Sequence, residues 1–410
     1  MNTADINLLD PDTYRDGIPH DAFAYLRSHR PIFRHADPQS ANGFWAITSH
    51  LGVKTVSRNP KTFSSWKRTT VLEELPEDLI QMLQMMLLNT DPPEHSRLRG
   101  AVSASFSNTA AARLASKVEK ICEKLVDDAL EMRTGDFVEM CAARLPMIVI
   151  ADLLGAPKRD RDQLYRWSNR LSFRADPEFD ADGGDQKAAL EMLEYAKYLA
   201  DLKRREPGDD LFTDLVSVGS GAGELSELEL GLFFIMLTTA GNETVRSSIS
   251  NGMLALMHHR GQWEQLCARP SALDTAPDEI IRWVSPTMAF RRTAMTDVEL
   301  LGETIRAGDK VIVYYAAANY DEVVFAAPME FDVCRNPNPH LGFGGGGPHY
   351  CLGRYLALLE IKTMLRVLSE KVDRLEIEGP VRRLRSNFLH GIATMPVRIV
   401  PRLPRRSVIG

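Results

Sequence analysis

Apolar residues recur every three to four positions over most of this chain, a spacing typical of amphipathic α-helices. The helical spacing is nearly continuous over residues 110–201, apart from an acidic stretch with a glycine pair at residues 175–184. That interruption is typical either of a mobile lid or of an ordinary surface loop. Another helical stretch covers residues 226–257, where Ser226 and Glu229 form a capping-box pattern. Its first part is apolar on nearly every side, so we expect this helix to be buried.

Short runs of apolar and β-branched residues predict a smaller β-rich part of the structure. Residues 31–34 and 43–47 predict two antiparallel strands joined by the turn between them. Residues 387–396 predict a hairpin. The predicted fold class is therefore mainly α with a smaller β region, whose β-rich parts lie at about residues 31–48, 287–315 and 385–400.

The overall composition limits the classes of function. The net charge of -6 gives no support for nucleic-acid binding. The strongest apolar run, residues 230–241, is well short of the ~20 residues that cross a bilayer, so we expect no membrane association. The five cysteines include no Cys-x-x-Cys pair, which argues against a disulfide framework or a zinc site and favours a reducing compartment. Residues 1–17 lack the apolar core of a signal peptide, so we expect a cytoplasmic protein.

The most distinctive stretch is LGFGGGGPHYCLGRYLALLE, residues 341–360. Its four consecutive glycines, residues 344–347, predict a loop bent tightly against a flat surface, because ordering glycine costs the most backbone freedom. Cys351 then stands where an amphipathic helix begins, and a helix N-terminus favours thiolate over thiol. A lone cysteine is more often a buried small hydrophobic residue, so these residues alone leave both interpretations open.

The same stretch resembles a known signature. Phe-Gly-x-Gly followed by His-x-Cys-x-Gly is similar to the haem-thiolate motif of the cytochromes P450. The resemblance implies haem b as cofactor, with Cys351 as the axial ligand of its iron, Phe343 packed near the sulfur and His349 near a haem propionate. It also implies that Gly344 and Gly353 lie against the haem. Phe343 precedes Cys351 by eight residues, one more than is commonest in the family, as in bacterial members that act on steroids and branched-chain lipids.

Two further segments match the family where it binds the haem carboxylates. Residues 91–99, DPPEHSRLR, begin a helix on which His95 and Arg99 share one face. By resemblance, both side chains reach a haem propionate, which suits a guanidinium because it can form two parallel hydrogen bonds. Arg292 is placed to meet a propionate as well, although its neighbour Arg291 is an alternative.

Residues 240–244, AGNET, interrupt the buried helix with residue types that are locally unfavourable there. Such departures tend to mark functional sites, although a structural kink is the other interpretation. The segment resembles the oxygen-activating motif of the P450 family. The resemblance implies that Thr244 hydrogen-bonds the oxygen species and that Glu243 relays protons, which makes these two the catalytic residues. It also implies that Ala240 and Gly241 lie against the haem.

Glu279 and Arg282 lie one helical turn apart, and such a pair on a surface is normally worth ~0.5 kcal/mol or less. The spacing matches the Glu-x-x-Arg motif of P450s, which is buried and structural. Arg335, in the segment before the cysteine loop, fits the place of the third partner. We therefore assign these three residues to folding and to support of the haem loop, not to catalysis.

The substrate is inferred from the apolar segments. A methionine-rich stretch, residues 82–88, is typical either of core packing or of a pliable wall over a cavity. The long glycine loop, AGNET and residues 387–396 together resemble hydroxylases of steroids, terpenoids and methyl-branched lipids. We expect a steroid or terpenoid, with a branched fatty acid as the alternative and Arg68 available to hold its carboxylate. The residues expected to contact substrate are Met86, Leu87, Leu237, Thr287, Met288, Ala289, Phe388 and Leu389.

The resemblance extends over nearly the whole chain, so we expect a single P450 domain, residues 1–410, that acts as a monooxygenase. The implied reaction inserts one oxygen atom of O2 into a C–H bond. The chain has no nucleotide-binding glycine motif and no cysteine cluster for iron–sulfur, so we expect electrons from a separate ferredoxin and its NAD(P)H-dependent reductase. We also expect a monomer. A basic docking face for the ferredoxin is predicted at Arg97, Arg354, Lys362 and Arg366.

Two other functions are compatible with a haem-thiolate signature. A peroxide-driven haem enzyme is disfavoured by the pair of Glu243 and Thr244, where peroxygenase relatives tend to differ. A non-enzymatic haem sensor would be expected to carry a DNA-binding segment or a signalling domain, and the sequence supports neither.

Overall fold

Helices dominate the structure. The computed structural model describes residues 6–172, 184–217 and 225–403. The helices in these ranges are α1 (His20–His29), α2 (His50–Ser57), α3 (Glu77–Leu83), α4 (Glu94–Val102), α5 (Asn108–Met132), α6 (Arg144–Leu153), α7 (Arg161–Ser172), α8 (Gly184–Arg205), α9 (Leu211–Ser217), α10 (Glu227–His258), α11 (Arg260–Ala268), α12 (Ala276–Val284), α13 (Tyr315–Ala318) and α14 (Arg354–Lys371). None of them combines the length and the hydropathy that crossing a bilayer requires.

The strands are short and form four sheets within the described residues. They are β1 (Ile32–Asp37), β2 (Ser40–Ile47), β3 (Phe63–Ser64), β4 (Thr134–Asp136), β5 (Ala289–Ala294), β6 (Val298–Leu300), β7 (Glu303–Ile305), β8 (Lys310–Tyr314), β9 (Val372–Ile377), β10 (Arg382–Arg383), β11 (Ile392–Thr394) and β12 (Pro396–Pro401). The largest sheet has the order β1-β2-β8-β5-β3, in which β2 and β8 run parallel. The others are β4-β12-β9, β6-β7 and β10-β11.

Helix α10 passes through the centre of the helical part and packs against α6, α7, α8, α12 and α14. Its start confirms the predicted capping box, because the Ser226 hydroxyl accepts from the Glu229 N–H and the Glu229 carboxylate accepts from the Ser226 N–H. The first half buries Leu230, Phe233 and Phe234 among side chains of α8 and α9, as its apolar pattern predicts. This burial sets the position of the AGNET segment inside the molecule.

Most predicted elements agree with the structure to within a few residues. The strands expected at residues 31–34 and 43–47 are β1 and β2, which pair antiparallel with Ile32 opposite Ile47. The helical spacing of residues 110–201 corresponds to α5, α6, α7 and α8. The lid or loop predicted at residues 175–184 lies outside the described residues, apart from Gly184, which begins α8.

One local prediction was wrong. The hairpin predicted within residues 387–396 is instead formed by β10 and β11, and Pro396 begins β12, which pairs with β4 and β9. The second strand of the predicted hairpin corresponds to β11, but its partner β10 lies before residue 387.

A left-handed residue turns the chain from α12 towards the largest sheet. Ser285 ends α12 with φ 46°, and its hydroxyl donates to the carbonyl oxygen of Arg282 and accepts from the Asn319 side-chain amide. Pro286 follows, and the extended segment that leads into β5 passes along the wall of an internal cavity. The turn therefore sets the position of one side of the site.

Candidate active site

The cysteine loop closes on itself just before α14. The Cys351 N–H donates to the carbonyl oxygen of Phe343 at 2.9 Å, and the Gly344 N–H donates to Leu341 at 2.9 Å. Gly344, Gly346 and Gly347 have φ of 98°, 91° and 75°, which favour glycine because a Cβ atom would be strained there. The loop thus places the Cys351 thiol at the start of α14, as predicted.

The glycine run meets helix α2 rather than only a flat surface. A Cβ atom on Gly345 would lie 3.0 Å from the carbonyl oxygen of Val53, and one on Gly347 would lie 2.5 Å from that of Ser57. Gly344 is the member of the run that lines the cavity. The sequence-based expectation of one flat partner was therefore incomplete, because Gly345 and Gly347 lie against a helix.

An internal cavity lies between the cysteine loop and α10. The loop, α4 and α14 form one side, and Met236, Leu237, Ala240, Gly241 and Thr244 of α10 form another.

Opposing effects act on the pKa of the Cys351 thiol. Burial raises its pKa, whereas the N–H groups of Gly353 and Arg354 and the guanidinium groups of Arg99 and Arg354 lower it. The helix N-terminus therefore acts as predicted, but burial outweighs it. A thiolate at this place needs a cation in direct contact, which a bound metal ion supplies.

Four nitrogen-rich side chains line the cavity near the loop. They are His95, Arg99, Arg292 and His349. The rings of His95 and His349 lie 4.4 Å apart between centroids, and His349 Nε2 is buried without a hydrogen-bond partner among the described residues. Burial lowers the pKa of His95 to about 4 and that of His349 to about 2, so both are neutral near pH 7.

Neither guanidinium in this group forms an ion pair within the described part of the chain. Arg99 donates to the carbonyl oxygen of Pro348 at 3.0 Å, and Arg292 donates to that of Arg291 at 2.7 Å. Burial lowers the pKa of both. Buried cations are normally paired, so this arrangement fits an anionic group in the cavity.

The choice between Arg291 and Arg292 follows from their neighbours. Arg291 turns away from the cavity and pairs with Glu74 at 2.8 Å. Arg292 lines the cavity and is buried. Alternate residues of a strand point to opposite faces, which explains why the two side chains separate.

The predicted catalytic pair does not share one face of α10. Thr244 lines the cavity, and its hydroxyl donates to the carbonyl oxygen of Ala240 at 2.8 Å. Glu243 is buried outside the cavity lining, with its carboxylate 3.5 Å from Arg246 and accepting from the Asn242 amide at 3.0 Å. Burial raises the pKa of Glu243 to about 7, which the Arg246 charge opposes.

The structure brings the three predicted structural residues together in the interior. Arg282 forms two hydrogen bonds of 2.8 Å to Glu279, and both side chains are fully buried. Arg335 adds a bond of 3.1 Å to the same carboxylate. Arg282 and Arg335 also donate to carbonyl oxygens of the segment before the cysteine loop, including that of Glu330. The cluster therefore joins α12 to the chain that leads into the loop.

The predicted substrate contacts divide into two groups. Leu87, Leu237 and Thr287 line the cavity. The other five lie elsewhere. Met288 and Ala289 are buried in a separate apolar cluster, and Phe388 packs against Phe290 with ring centroids 5.5 Å apart. Leu389 forms a backbone bridge with Thr287, and Met86 is half-buried beside exposed Met85. These five residues do not line the cavity.

A steroid C26-monooxygenase of Rhodococcus jostii strain RHA1 is 40% identical over 95% of this chain and 84% of its own length. The chain belongs to the cytochrome P450 family. The family model for cytochrome P450 matches residues 272–373. A methyl-branched lipid omega-hydroxylase of Mycobacterium bovis is 38% identical over 97% of this P450 and 94% of its own length.

Solved structures agree with this assignment. A Mycobacterium marinum cytochrome P450 in complex with pseudoionone has a TM-score of 0.90 and 35% identity, covering 96% of this chain and 98% of that one. A Bacillus megaterium enzyme in complex with testosterone has a TM-score of 0.84 and 29% identity, covering 95% and 99%. The expected fold class, mainly α with a smaller β region in the P450 arrangement, is confirmed.

Cytochromes P450 bind haem b through a cysteine thiolate, and the residues present here fit that group. The Cys351 sulfur is at the wall of the cavity. Within the described residues, Arg99 and Arg292 make no ion pair and His349 Nε2 has no hydrogen-bond partner, which suits carboxylates such as the haem propionates. The five cysteines are free thiols, so nothing competes for the Cys351 sulfur.

Sequence reasoning missed several residues that line the P450 cavity. Ser248 lies one turn beyond Thr244 on α10, so helical spacing alone could have found it. Glu360, a buried carboxyl on α14, lies two turns from Gly353 on the same face. Phe290 and Tyr315 come from β5 and the start of α13, and no local pattern shows which of their faces meets the cavity.

Proposed function

We propose that this P450 hydroxylates a bulky apolar substrate, such as a steroid or terpenoid, using O2 and electrons from a separate ferredoxin and its NAD(P)H-dependent reductase. The observation that carries the substrate class is the wall opposite the cysteine loop. There α10, the turn at Leu87–Asn89 and the segment before β5 contribute only apolar side chains and hydroxyl groups to the cavity. Carboxyl, guanidinium, imidazole and thiol groups come from α4, the loop, α14 and Arg292.

The positions of individual residues support the following roles. Cys351 would be the iron ligand, with Phe343 beside the sulfur and with Gly344, Gly353, Ala240 and Gly241 close to the haem. His95, Arg99, Arg292 and His349 would hold the propionates, which would supply the negative charge that half-buried Arg99 and buried Arg292 lack among the described residues. When bound, thiolate-ligated haem supplies the chemistry that activates O2.

The chain itself positions substrate and protons. Leu87, Leu237 and Phe290 exclude water from the space beside Thr244, which strengthens the electrostatic interactions there. The Thr244 hydroxyl is held by the Ala240 carbonyl oxygen and can pass its proton into the cavity. Glu243, buried one residue away, is the acid that replenishes protons from the α7 side of α10.

A second substrate class, methyl-branched lipids, is favoured by the omega-hydroxylase of Mycobacterium bovis at 38% identity. The structure offers no anchor for the carboxylate of a fatty acid at Arg68, which pairs with Glu77 at 3.2 Å on the surface and does not line the cavity. The residues that line the cavity therefore favour a substrate that has no charged end near the apolar wall formed by α10, Leu87–Asn89 and the segment before β5.

A binding screen tests the substrate class directly. The haem-loaded protein is titrated with steroids, terpenoids, branched fatty acids and their straight-chain counterparts, and the spin-state change of the haem spectrum reports entry beside the iron. Steroids or terpenoids are expected to bind most tightly, and product analysis with a reconstituted ferredoxin system then identifies the hydroxylated carbon. Tightest binding by a fatty acid would overturn the steroid assignment in favour of the lipid one.

The predicted docking face is smaller than its four cations suggest. Arg97 is bonded to Glu94 and Glu229, Lys362 to Asp274 at 2.6 Å, and Arg366 to Glu119 at 2.7 Å and to Glu370 at 3.0 Å. Carboxylates therefore neutralise three of the four cations of the predicted docking face.

Arg354 is the member of the predicted face that makes no ion pair within the described part of the chain. Its guanidinium stacks on Tyr350 and Tyr355 at 5.0 and 4.1 Å from the ring centroids, beside Cys351 in sequence. Exposed Arg58, against Gly346 of the same loop, is a second such cation. We place the ferredoxin contact on Arg354 and Arg58, one on each side of the loop.

A further inference from the structure

A buried polar seam joins α10 to α7 outside the cavity lining. It consists of Ser168, Asn169, Asn242, Glu243 and Arg246. The Asn242 amide donates to the Ser168 hydroxyl at 3.1 Å and to Glu243 at 3.0 Å, and Arg246 donates to the Asn169 side-chain oxygen at 3.1 Å. The seam is therefore a set of hydrogen bonds between two helices that includes Glu243, the proposed proton source.

The seam leaves the Glu243 carboxyl unusually weakly held. Oε2 is buried without a hydrogen-bond partner among the described residues, and Oε1 accepts from Asn242. Arg246 Nη1 lies 3.5 Å from Oε1 and donates a hydrogen bond to the Asn169 side-chain oxygen at 3.1 Å. The ion pair is consequently longer than the ~2.7–2.9 Å of a charge-assisted hydrogen bond.

This geometry decides the charge of the carboxyl. Burial raises the pKa of Glu243 to about 7, and the Arg246 charge opposes the rise. Attraction between charges grows as they approach, so a shorter contact with Arg246 would hold the carboxyl ionised. At the observed distance, both forms of the carboxyl are populated near neutrality.

The ionisable side chain next to the seam, Tyr165, does not change its charge in that range. Tyr165 of α7 donates to Glu139 at 2.7 Å, and burial raises its pKa to about 12, so it stays neutral. Among the described residues, Arg246 is the charge that acts on Glu243.

We propose that Asn169 is a positioning residue that holds Arg246 back from Glu243 and so keeps this carboxyl able both to bind and to release a proton. The inference rests on the proposed monooxygenase function, in which Glu243 supplies protons. It adds a residue on α7, one helix away from the cavity, to the proton machinery. Asn169 acts through Arg246 and does not touch substrate or cofactor.

Infrared spectroscopy of the haem-loaded protein tests the proposal. The carboxylic-acid C=O band of Glu243, identified by its loss in Glu243→Gln, is followed against pH. Asn169→Leu removes the acceptor, so Arg246 is expected to close on Glu243 and lower its pKa by about one unit. Arg246→Gln removes the cation and is expected to raise it by about one unit. The matched control Arg166→Gln, an exposed arginine on α7 bonded to Gln163, is expected to leave it unchanged.

Opposite signs distinguish positioning from simple packing. If Asn169→Leu raises the Glu243 pKa or leaves it unchanged, the proposal is overturned. Asn169→Asp serves if the leucine variant does not fold: its carboxylate holds Arg246 more firmly and adds negative charge, so the Glu243 pKa is expected to rise, and a fall would overturn the proposal.

The titration needs neither substrate nor electron donor, so it separates this inference from the proposed function. A shift of the predicted sign without hydroxylated product from any tested substrate would sustain the role of Asn169 and count against the proposed reaction. Product formation together with an unchanged Glu243 pKa in Asn169→Leu would support the proposed reaction and overturn the role of Asn169.

Discussion

The N–H of Cys351 donates to the carbonyl oxygen of Phe343 across 2.9 Å, although eight positions separate the two residues in sequence. This bond closes the loop at the cavity, so the additional length of the glycine run must be accommodated elsewhere. It is accommodated against α2, where Gly345 and Gly347 approach backbone carbonyl oxygens. The contact of Phe343 with the cysteine segment is therefore kept despite the longer spacing.

Gly347→Ala should destabilise the loop more than an equivalent change elsewhere. A Cβ atom at φ 75° is strained, and here it would also lie 2.5 Å from the Ser57 carbonyl oxygen. The matched control is Gly302→Ala, at φ 88° with open space around it. We expect a loss of about 1–2 kcal/mol from the backbone term in both variants and about 1–3 kcal/mol more from the clash in Gly347→Ala.

Urea unfolding of both variants, with haem content measured in parallel, checks this prediction. Gly347→Ala should lose stability and haem together, while Gly302→Ala keeps its haem. Equal losses in the two variants would show that the glycine run does not need to meet α2.

Thr244→Ala should uncouple reductant use from product formation. Its hydroxyl faces the cavity, so its removal takes away the proton-bearing group nearest the proposed reaction. Thr239→Ala is the matched control, since Thr239 makes the same type of bond to the carbonyl oxygen of Ile235 but does not line the cavity. Loss of a proton-transfer group typically slows its step by about 10²–10⁴-fold, so we expect the product formed per NAD(P)H to fall markedly in Thr244→Ala and little in Thr239→Ala. Unchanged coupling in Thr244→Ala would remove the residue from the proton path.

His390 predicts a pH dependence of stability. Its ring contacts the Val284 carbonyl oxygen at 2.6 Å and accepts from Arg383 at 3.0 Å, and burial lowers its pKa to about 3. The unfolded chain therefore binds one more proton than the folded chain between about pH 6.5 and pH 3, so stability falls as the pH drops through this window.

From pH 7 to pH 5 this residue should account for about 2 kcal/mol of lost unfolding free energy. Urea unfolding at both pH values measures it in the native protein and in His390→Gln, which cannot take up that proton. The difference between the two pH values should shrink by about this amount in the variant. An identical difference in both proteins would show that His390 is not held neutral by the fold.

Short local patterns predicted the positions of individual side chains better than their tertiary packing. Cys351 before α14, Thr244 at the cavity and the buried pair of Glu279 and Arg282 lie where their resemblance to P450 motifs implied, because one helix or loop determines the geometry of each pattern. The direction of Glu243 could also have been anticipated, since residues 240, 241, 244, 245 and 248 share the cavity face of α10 and residue 243 falls at its edge.

What the sequence could not show are contacts between distant segments. Arg97 looked like an available surface cation, but Glu229, which lies 132 positions later, neutralises it. Phe388 belongs to the expected segment, yet its ring stands behind Phe290 because the true partner of β11 is β10. Such outcomes depend on tertiary packing, and no periodicity of the chain encodes them.

Arg354→Glu should slow electron delivery from a ferredoxin, because reversing an unpaired charge at the rim of an interface lowers the rate of association. Lys362→Glu carries the same charge change at a lysine that Asp274 already neutralises. We expect ferredoxin-driven reduction to slow about tenfold in Arg354→Glu and much less in Lys362→Glu, while reduction by dithionite is unaffected in both. Equal effects in the two variants would place the partner elsewhere.

The most direct test of the whole account is the spectrum of the reduced protein with carbon monoxide. The native chain should give the red-shifted absorption band of thiolate-ligated haem, and Cys351→Ala should lose that band. Absence of the band in the native protein, or its survival in Cys351→Ala, would contradict the assignment of Cys351 as the ligand on which the site is built.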